Sequence, residues 1–554
     1  MSDSLTRPCA PNHLHLPDPL ADSSATVRPW IEPAIWGFIA LGLLVRVARY
    51  LLQFPLWGDE CFLAVNFTTR GYGELIGPLD YNMVAPPLFC WAELTAVRLF
   101  GFHELSLRLV PMLASAASVF VFAHLARKLL TGIPLLLAVA VFCVSYYPVR
   151  HGCEVKPYAI DLLATLVILT LAVDWLAQPS HRKIILLTLA VPIAVGFSMP
   201  VVFVAGAVGL VLFFVALQRR RGDLPLVVGL YGGVLLASFA AMYLTVGRGQ
   251  AEAYEAAGLK SCWAPDFPPV DQPLELFVWL IDRHTSHMFA YPVGGSGGGS
   301  TLTAIAIALA AGLLWRRRQI ALLGLMFFPL VLCFVAAAME QYPYGGSQRT
   351  MQFVAPMACL LSIIGTVQGI AWMRGKRWRH GVVYALGAYY VLLALATLGD
   401  DLAHPYKTIY DQRSDQFAHW FWEEFGREGQ LACIHDDLGL EFDPQHWTFD
   451  RTAVYRCQRE MYSSRHRAKE PADLSAVTRD YPLRCVFYNE LPLDDPRFRD
   501  WLDDMQDRFL LSDRQTYRVN FDPDQEGYED EYVVYEFVPQ DSSGQRDVEH
   551  TARR

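Results

Sequence analysis

Long apolar runs recur along most of this chain, and they constrain its fold more than any other feature of the sequence. A helix that crosses the roughly 30 Å hydrocarbon core of a bilayer needs about 20 consecutive apolar residues. We place eleven such runs, near residues 33–52, 107–127, 133–149, 158–177, 183–199, 201–218, 224–246, 302–315, 319–338, 350–372 and 380–399. Charged residues make up only 18 % of the 554 residues, against about 25 % in a soluble domain. The sequence therefore predicts a polytopic α-helical membrane protein with about eleven spans.

Charge divides the chain into two parts. Residues 400–554 contain 34 acidic and 19 basic residues, whereas residues 1–399 contain 21 acidic and 27 basic ones. The acidic C-terminal part argues against nucleic acid as a partner, since phosphate binding requires a basic surface. We divide the sequence into a disordered cytoplasmic tail at 1–32, a membrane domain at 33–399, an extracytoplasmic domain at 400–540 and a disordered tail at 541–554.

Basic clusters between the apolar runs predict the orientation of the chain. They lie at residues 127–128, 182–183, 219–221, 316–318 and 374–379. With eleven spans and a cytoplasmic N-terminus, every cluster faces the cytoplasm, as Lys and Arg near span ends prefer. Residues 85–100 must then not cross, and this short segment with Glu93 and Arg98 suits a helix in the membrane interface. We expect an integral plasma (inner) membrane protein whose extracytoplasmic side carries residues 53–106, 147–157, 247–301 and 339–349 and the C-terminal domain.

The C-terminal part alternates helix-like and strand-like runs. Residues 413–425 and 496–508 have helical patterns, whereas residues 430–434 and 532–538 have strand patterns. Such alternation predicts a small extracytoplasmic α/β domain. Cys433, Cys457 and Cys485 allow at most one internal disulfide in this domain, and their spacing does not choose the pair.

Two adjacent carboxylates, Asp59 and Glu60, follow the first span in the sequence LWGDE at 56–60. One interpretation is structural: Asp59 is the N-cap of a helix, and Glu60 favours the positive helix end. The other is catalytic: a carboxylate held at the membrane surface acts as a general base. The two interpretations are compatible, because an N-cap carboxylate is rigidly placed.

Charged and aromatic residues also gather in two later extracytoplasmic segments. The candidates for substrate binding are Arg150, Glu154, Lys156, Tyr158, Tyr342, Tyr344 and Arg349. Arginine and lysine bind phosphate well, but cations and tyrosines also anchor helices at a membrane interface. The residues alone leave both interpretations open. A phosphate-binding glycine loop and a dinucleotide-binding glycine pattern are both absent from the sequence, which disfavours an ATP-driven pump.

The order of several short motifs resembles the membrane-embedded GT-C glycosyltransferases, in particular the bacterial relatives of protein O-mannosyltransferases and aminoarabinose transferases. The matching motifs are LWGDE at 56–60, APPL at 85–88, SLRLVP at 106–111 and EVKPYA at 154–159. The resemblance covers residues 33–180 well and weakens through 181–399, apart from a Tyr-Pro…Arg…Pro run that ends at Pro356. The chain departs from the family at one position: the family usually has His before Pro-Pro-Leu, and this chain has Ala85. A contact made by that histidine would then be absent or supplied by another residue, for instance His103 or His151.

The resemblance implies an inverting transfer of a sugar from a polyprenyl-phosphate donor to an acceptor hydroxyl on the extracytoplasmic side. Asp59 then resembles the family's base, and Glu60 would orient the acceptor or a cation. Arg150, Lys156 and Arg349 would hold the phosphate, with Glu154 beside them, and Tyr158, Tyr342 and Tyr344 would line the sugar or lipid path. The acceptor is a protein, a lipid or a polysaccharide.

The sequence leaves a cofactor and two rival functions open. No ligand cluster at zinc spacing is present in the sequence, so the residues assign no metal site. Glu60 and Glu154 would suit one divalent cation. A transporter or flippase of a lipid-linked substrate would also need cations on the extracytoplasmic side and lipid-facing helices. A sensor or scaffold would use the spans only to anchor the C-terminal part.

Overall fold

The computed structural model describes residues 14–21, 28–219, 224–256, 259–294 and 299–407, together with short segments between residues 411 and 539. The chain divides into two compact units. The helical unit comprises Met1–Gln53 and Gly71–Pro405, and the C-terminal unit comprises Phe54–Arg70 and Tyr406–Arg554. The two carboxylates after the first span therefore belong to the C-terminal unit.

Each predicted apolar run contains a described helix, and further helices lie between the runs. In chain order they are α1 Ile31–Leu51, α2 Gly58–Ala64, α3 Asn66–Thr69, α4 Pro87–Phe100, α5 Glu104–Leu129, α6 Gly132–Val144, α7 Tyr146–Arg150, α8 Tyr158–Ala177, α9 His181–Phe197, α10 Val201–Arg219, α11 Gly233–Met242, α12 Arg248–Ala256, α13 Pro273–Thr285, α14 Gly299–Arg316, α15 Ile320–Ala338, α16 Ala355–Trp372 and α17 Lys376–Ala403. Two π-helical stretches, Leu226–Gly232 and Tyr243–Gly247, continue α11 on either side.

Among the described residues, eight helices are long and apolar enough to cross a membrane, and a bent pair makes a ninth. This confirms a polytopic helical membrane protein. The count of eleven is higher because α9 has 17 residues and Ser300–Arg316 is a shorter apolar helix. The predicted run 133–149 is not one straight span: α6 ends before Ser145, and the chain bends by 48°. Tyr146 N–H donates to the Pro292 carbonyl at 2.8 Å instead of continuing the helix.

Part of the predicted N-terminal tail is ordered. Leu16 N–H donates to the Leu129 carbonyl at 2.8 Å, and Asp18 Oδ2 accepts from Ile133 N–H at 3.0 Å. The Leu16 side chain is buried. These contacts hold residues 14–21 against the turn between α5 and α6.

Arg46 is a fully buried cation inside the first span. Its Nε donates to Ser115 Oγ at 2.9 Å, and its Nη1 donates to the carbonyls of Gly42 at 2.9 Å and Cys143 at 2.8 Å. A charge within a span is costly unless polar groups surround it. Arg46 thus joins α1, α5 and α6 through a single side chain.

The ends of α1, α5 and α17 meet at one end of the helical unit. Arg49 forms an ion pair with Asp401, and the Tyr50 hydroxyl donates to the Leu105 carbonyl at 2.8 Å. The structure shows Asp401 as a partner of Arg49.

The C-terminal unit contains a mixed five-stranded sheet. Its strands are β1 Gln430–Ile434, β2 Ala468–Lys469, β3 Leu483–Tyr488, β4 Phe509–Val519 and β5 Asp530–Pro539, in the order β2-β1-β3-β5-β4. The first three neighbours are parallel, and β3, β5 and β4 are antiparallel. The predicted strands at 430–434 and 532–538 are confirmed, whereas β3 and β4 were not predicted.

The predicted helices of this unit are only partly described. Residues 415–417 and 420–421 are helical, and so are residues 502–503 and 505–506. Cys485 is a buried free thiol, so it forms no disulfide. The remaining pair, Cys433 with Cys457, involves side chains outside the described residues.

The crossing of α14 and α16 gives a test of helix packing. A Cβ added at Gly365 would lie 1.8 Å from the Ala306 carbonyl oxygen, whereas a Cβ at Gly369 would meet no atom within 4 Å. We expect Gly365→Ala to separate the two helices and destabilise the protein by about 1–3 kcal/mol or more. Gly369→Ala, one turn later in the same helix, should be neutral or slightly stabilising because Ala is the better helix former.

Thermal unfolding of the two purified variants in detergent checks this expectation. Gly365→Ala should melt a few degrees lower than the wild type, and Gly369→Ala should not. Equal melting temperatures would show that the two helices separate without cost.

Candidate functional site

The LWGDE motif forms the start of a short helix in the C-terminal unit. Trp57 is the extended residue before α2, and its N–H donates to Glu60 Oε2 at 3.3 Å. The predicted N-cap was therefore wrong: Trp57 occupies that position, and Asp59 lies in the first turn. Glu60 is buried and closes the turn that carries Asp59, which is half-buried. Glu60 thus positions the segment on which Asp59 stands.

The 145–158 segment of the helical unit carries four of the predicted residues. Arg150 ends α7, and its guanidinium contacts Tyr146 through a hydrogen bond to the hydroxyl and at 5.4 Å from the ring centroid. Lys156 is buried, with its Nζ 3.5 Å from Met83 Sδ. Tyr158 begins α8. One cation is thus stacked on an aromatic ring and the other is enclosed by the protein.

Glu154 pairs with a histidine in the same segment. The Nδ1 of His151 lies 3.0 Å from Glu154 Oε2, and both side chains are buried. The His151 ring also contacts Tyr147 and Tyr158 at centroid distances of 6.0 and 5.7 Å. This histidine is therefore held between two tyrosines.

The 339–350 segment carries the other three predicted residues. The Tyr342 hydroxyl donates to the Thr350 carbonyl at 2.7 Å. Arg349 donates to Ser347 Oγ at 3.2 Å, and its guanidinium carbon lies 5.9 Å from the centroid of the Trp263 ring. Arg349 therefore resembles Arg150 in having an aromatic neighbour.

Tyr344 is buried and connects the 339–350 segment to α13. Its N–H donates to the Asp266 carbonyl at 3.0 Å, its ring stacks on Trp279, and its hydroxyl lies 3.1 Å from Nε2 of His284. Burial raises the pKa of Tyr344, so the hydroxyl keeps its proton. Its contacts are those of a packing residue.

The 145–158 and 339–350 segments meet through Tyr342. Burial raises the pKa of Tyr342 well above its usual range, and the nearby Asp161 and Tyr158 raise it further. A contact to the loop before α14 adds to this arrangement, because Tyr147 and Tyr291 pack edge to face at 6.1 Å. The structure thus brings together Tyr158 and Tyr342, which the sequence placed in separate segments.

Ala85 stands where the family usually has a histidine, and its backbone is hydrogen-bonded to a glutamine side chain. Ala85 is buried, its N–H donates to Gln250 Oε1 at 3.2 Å, and its carbonyl accepts from Gln250 Nε2 at 3.3 Å. His103 instead caps α5 by accepting from Ser106 N–H at 3.3 Å. The hypothesis that His103 or His151 replaces the missing histidine stays a prediction.

Comparison with solved structures identifies the architecture. The structure of ArnT from Cupriavidus metallidurans in the apo state superposes with a TM-score of 0.52 at 14 % identity, over 90 % of this chain and 97 % of that one. ArnT bound to undecaprenyl phosphate gives 0.51 over the same shares, also at 14 % identity. ArnT is an aminoarabinose transferase of the GT-C class. This chain has the GT-C fold.

The GT-C fold confirms the predicted resemblance at the level of architecture. An oligosaccharyltransferase from Archaeoglobus fulgidus, tethered to an acceptor peptide, gives a TM-score of 0.47 at 11 % identity, over 80 % of this chain and 64 % of that one. No protein-family model matches the sequence, and no curated protein matches it significantly. Within the described ranges, no group of three or more His, Cys, Asp or Glu side chains is arranged to hold a metal ion.

Two buried polar side chains in this GT-C fold were missed by the sequence. Asp161 and Thr165 lie one turn apart on α8 and are 4 % and 0 % exposed. Among the described residues, no group hydrogen-bonds to Asp161 Oδ1 or Thr165 Oγ1. An ionisable residue within a span usually serves a function, because its burial is costly. Asp161 was hidden in the sequence because it lies inside an apolar run.

We expect Asp161→Asn to leave stability unchanged or to raise it, because an amide is cheaper to bury than an incompletely paired carboxylate. Asp174→Asn provides the control on the other end of α8, where Asp174 pairs with Lys128 at 2.5 Å. That pair is partly exposed, so its loss should cost at most about 1 kcal/mol. Thermal unfolding of both variants measures the difference. A large loss of stability in Asp161→Asn would make Asp161 a structural residue.

The His284–Tyr344 contact gives a pH-dependent prediction. His284 Nδ1 lies 2.7 Å from the Leu280 carbonyl, which can only accept, so Nδ1 carries the proton and Nε2 accepts from Tyr344. Burial lowers the pKa of His284 below its usual 6.5, although the bond to Leu280 opposes this. The unfolded chain therefore takes up a proton first as pH falls. Stability is complete above pH 6.5 and declines below it, by at most about 1.4 kcal/mol per pH unit.

Melting temperatures of the wild type and His284→Gln at about pH 7.5 and about pH 5.5 test this expectation. The wild type should lose more stability than the variant between the two pH values. Equal losses would mean that other groups cause the decline.

Proposed function

We propose that this protein is an inverting glycosyltransferase that moves a sugar from a polyprenyl-phosphate donor to an acceptor hydroxyl on the extracytoplasmic side of the membrane. The observation that carries the proposal is the GT-C fold, which covers 97 % of an ArnT structure. A second ArnT structure with the same likeness holds undecaprenyl phosphate. The ordered motifs of the first 180 residues support the same conclusion.

The proposed reaction is a single displacement. The acceptor hydroxyl loses its proton to Asp59, and its oxygen forms a bond to the anomeric carbon. The bond between that carbon and the phosphate oxygen breaks, and its electron pair leaves with the polyprenyl phosphate. A phosphate leaves without a strong general acid, so the protein must supply a base and cations. One displacement inverts the anomeric centre.

Asp59 and Glu60 take different roles in this proposal. Glu60 is buried and accepts the Trp57 N–H, so it serves as a positioning residue. Asp59 is half-buried in the first turn of the same helix. A base must reach both the acceptor and the water that carries its proton away, and a half-buried carboxylate suits this task.

Three cations suit a phosphate in different ways. Lys156 is a compact charge in a buried position, where a charge-assisted hydrogen bond to phosphate is strong. The guanidinium groups of Arg150 and Arg349 lie near the rings of Tyr146 and Trp263. An aromatic neighbour restricts an arginine and leaves its planar donors available to oxygen atoms.

The proposed site also contains four residues that do not bind the phosphate directly: Glu154, Tyr158, Tyr342 and Tyr344. Glu154 holds the ring of His151, which packs on Tyr158. Tyr342 lies near Tyr158 and Asp161. We propose that Tyr158 and Tyr342 line the sugar or lipid path, and that Tyr344 supports them from its buried place. The acceptor is a protein, a lipid or a polysaccharide.

We expect Asp59→Asn to lower sugar transfer by about 10²–10⁴-fold, because the amide cannot take the proton. The assay supplies membranes containing the full chain with labelled polyprenyl-phosphate sugars and follows label in products. Asp271→Asn is the matched control, because Asp271 is an exposed carboxylate of another predicted extracytoplasmic segment. Equal transfer by Asp59→Asn and wild type at equal expression would exclude Asp59 as the base.

We expect Lys156→Gln to lower kcat/KM for the donor by about 10–100-fold, since a hydrogen bond to a charged group contributes about 1.5–3 kcal/mol. Arg248→Gln is the control, because Arg248 is exposed and pairs with the equally exposed carboxylate of Glu252. An unchanged kcat/KM in Lys156→Gln would remove this lysine from the donor site. Movement of label across the membrane without a covalent product would favour a transporter.

A further inference from the structure

Residues 83–86, which lead into α4, form a segment that is extended at both of its ends. Ala85 is buried in this 83–86 segment and is followed directly by Pro86 and Pro87. Proline has no N–H and keeps the residue before it out of the helical region. A buried backbone N–H or carbonyl nevertheless needs a hydrogen-bond partner. Because Ala85 has no polar side chain, the partner must come from another part of the chain.

Gln250 satisfies both backbone groups of Ala85, although it lies 165 residues away in the sequence. The Ala85 N–H donates to Gln250 Oε1 at 3.2 Å, and Gln250 Nε2 donates to the Ala85 carbonyl at 3.3 Å. The side-chain amide of glutamine offers one acceptor and two donors, so it can replace a second backbone strand here. Gln250 is itself buried. A side chain without both groups would leave a buried backbone group unpaired.

Helix α12 presents this glutamine from the end of a membrane span. Gln250 lies within the apolar helical stretch Leu226–Glu252, near its C-terminal end. Its neighbours Arg248 and Glu252 are exposed and pair with each other, whereas Gln250 is turned into the protein. The same helix packs against residues before the 83–86 segment, because a Cβ added at Gly249 would lie 3.7 Å from Pro78 Cγ.

The 83–86 segment is connected on both sides to the surroundings of Lys156. On one side, Met83 Sδ lies 3.5 Å from Lys156 Nζ. On the other side, α4 carries Cys90 in its first turn. Burial raises the pKa of the Cys90 thiol to about 12, the charge of Glu93 adds to this rise, and the charge of Lys156 opposes it. Lys156 therefore lies near both the start of the segment and the helix that follows it.

We propose that Gln250 is a positioning residue that fixes the 83–86 segment against Lys156 and thereby sets the affinity for the phosphate of the donor. This inference rests on the proposed function, in which Lys156 binds that phosphate. Gln250 itself contacts only the protein. Lys156 would hold the phosphate before and during the reaction alike, so a displaced segment weakens both states equally. Such a loss raises KM for the donor and leaves kcat unchanged.

A double-mutant cycle with Lys156 tests the proposal in the full chain. We expect Gln250→Met, which is neutral and of similar length, to raise KM for a polyprenyl-phosphate sugar by about 5–30-fold, as the loss of one or two buried hydrogen bonds implies. In the Lys156→Gln background the same change should have no further effect on KM. Glu252→Gln, an exposed position on the same helix, is the matched control and should change KM in neither background. If Gln250→Met does not fold, Gln250→Asn, which keeps the amide on a shorter side chain, replaces it in the cycle.

Two kinetic results would overturn the proposal. An unchanged KM in a folded Gln250 variant would show that the 83–86 segment holds its place without the glutamine. An equal rise of KM with and without Lys156 would show that Gln250 acts on the fold as a whole and not through the lysine.

Alkylation of Cys90 gives a readout that needs no sugar donor. The thiol is buried in the wild type, so release of the segment should make its reaction with N-ethylmaleimide several-fold faster in Gln250→Met, measured by mass spectrometry of its peptide. Cys333, buried in α15, is the internal control and should react equally in both proteins. An unchanged rate at Cys90 would overturn the positioning role. If the wild type transfers no sugar, the proposed function fails, and the rate at Cys90 still decides whether Gln250 holds the segment.

Discussion

The arrangement of the first spans depends on the hydrogen bonds that the buried side chain of Arg46 makes. A guanidinium inside a membrane domain must be surrounded by acceptors, and Arg46 takes them from α1, α5 and α6. One of these acceptors, Ser115 Oγ, also sets the position of the 145–158 segment. A Cβ at Gly152 would lie 2.4 Å from that oxygen, so only glycine allows this close approach. The segment that carries Arg150 and Lys156 thus packs against the same serine that binds Arg46.

The 339–350 segment packs against the largely buried ion pair between Arg283 and Asp266. Arg283 holds Asp266, and a Cβ at Gly346 would lie 1.5 Å from Asp266 Oδ1. Gly346 thus lets the backbone pack closely against the side chain of Asp266, which is already paired with Arg283. The two segments with candidate phosphate ligands therefore have a common arrangement. In each, an arginine binds a polar side chain, and a glycine of the segment packs closely against that side chain.

The sequence predicted the elements whose cause is local and missed those whose cause is tertiary. The apolar runs predicted the helices because each run carries its own signal. The break at Ser145 was missed because Tyr146 gives its N–H to Pro292, far away in the sequence. Trp57 was missed as the N-cap because its own side chain does not cap, and Glu60 supplies the contact. Helix α13 was missed because it lies between the apolar runs, within the predicted extracytoplasmic segment 247–301.

Several buried polar side chains in this protein keep an atom without a hydrogen-bond partner among the described residues. Arg46 makes three hydrogen bonds that join α1, α5 and α6, while its Nη2 has no hydrogen-bond partner among the described residues. Asp161 and Thr165 lie as deeply, and each also keeps a polar atom to which no described group hydrogen-bonds. Stability alone would replace such atoms with apolar ones. What distinguishes Asp161 from Arg46 is its surroundings, because Asp161 lies near Tyr342, at the junction of the two candidate segments.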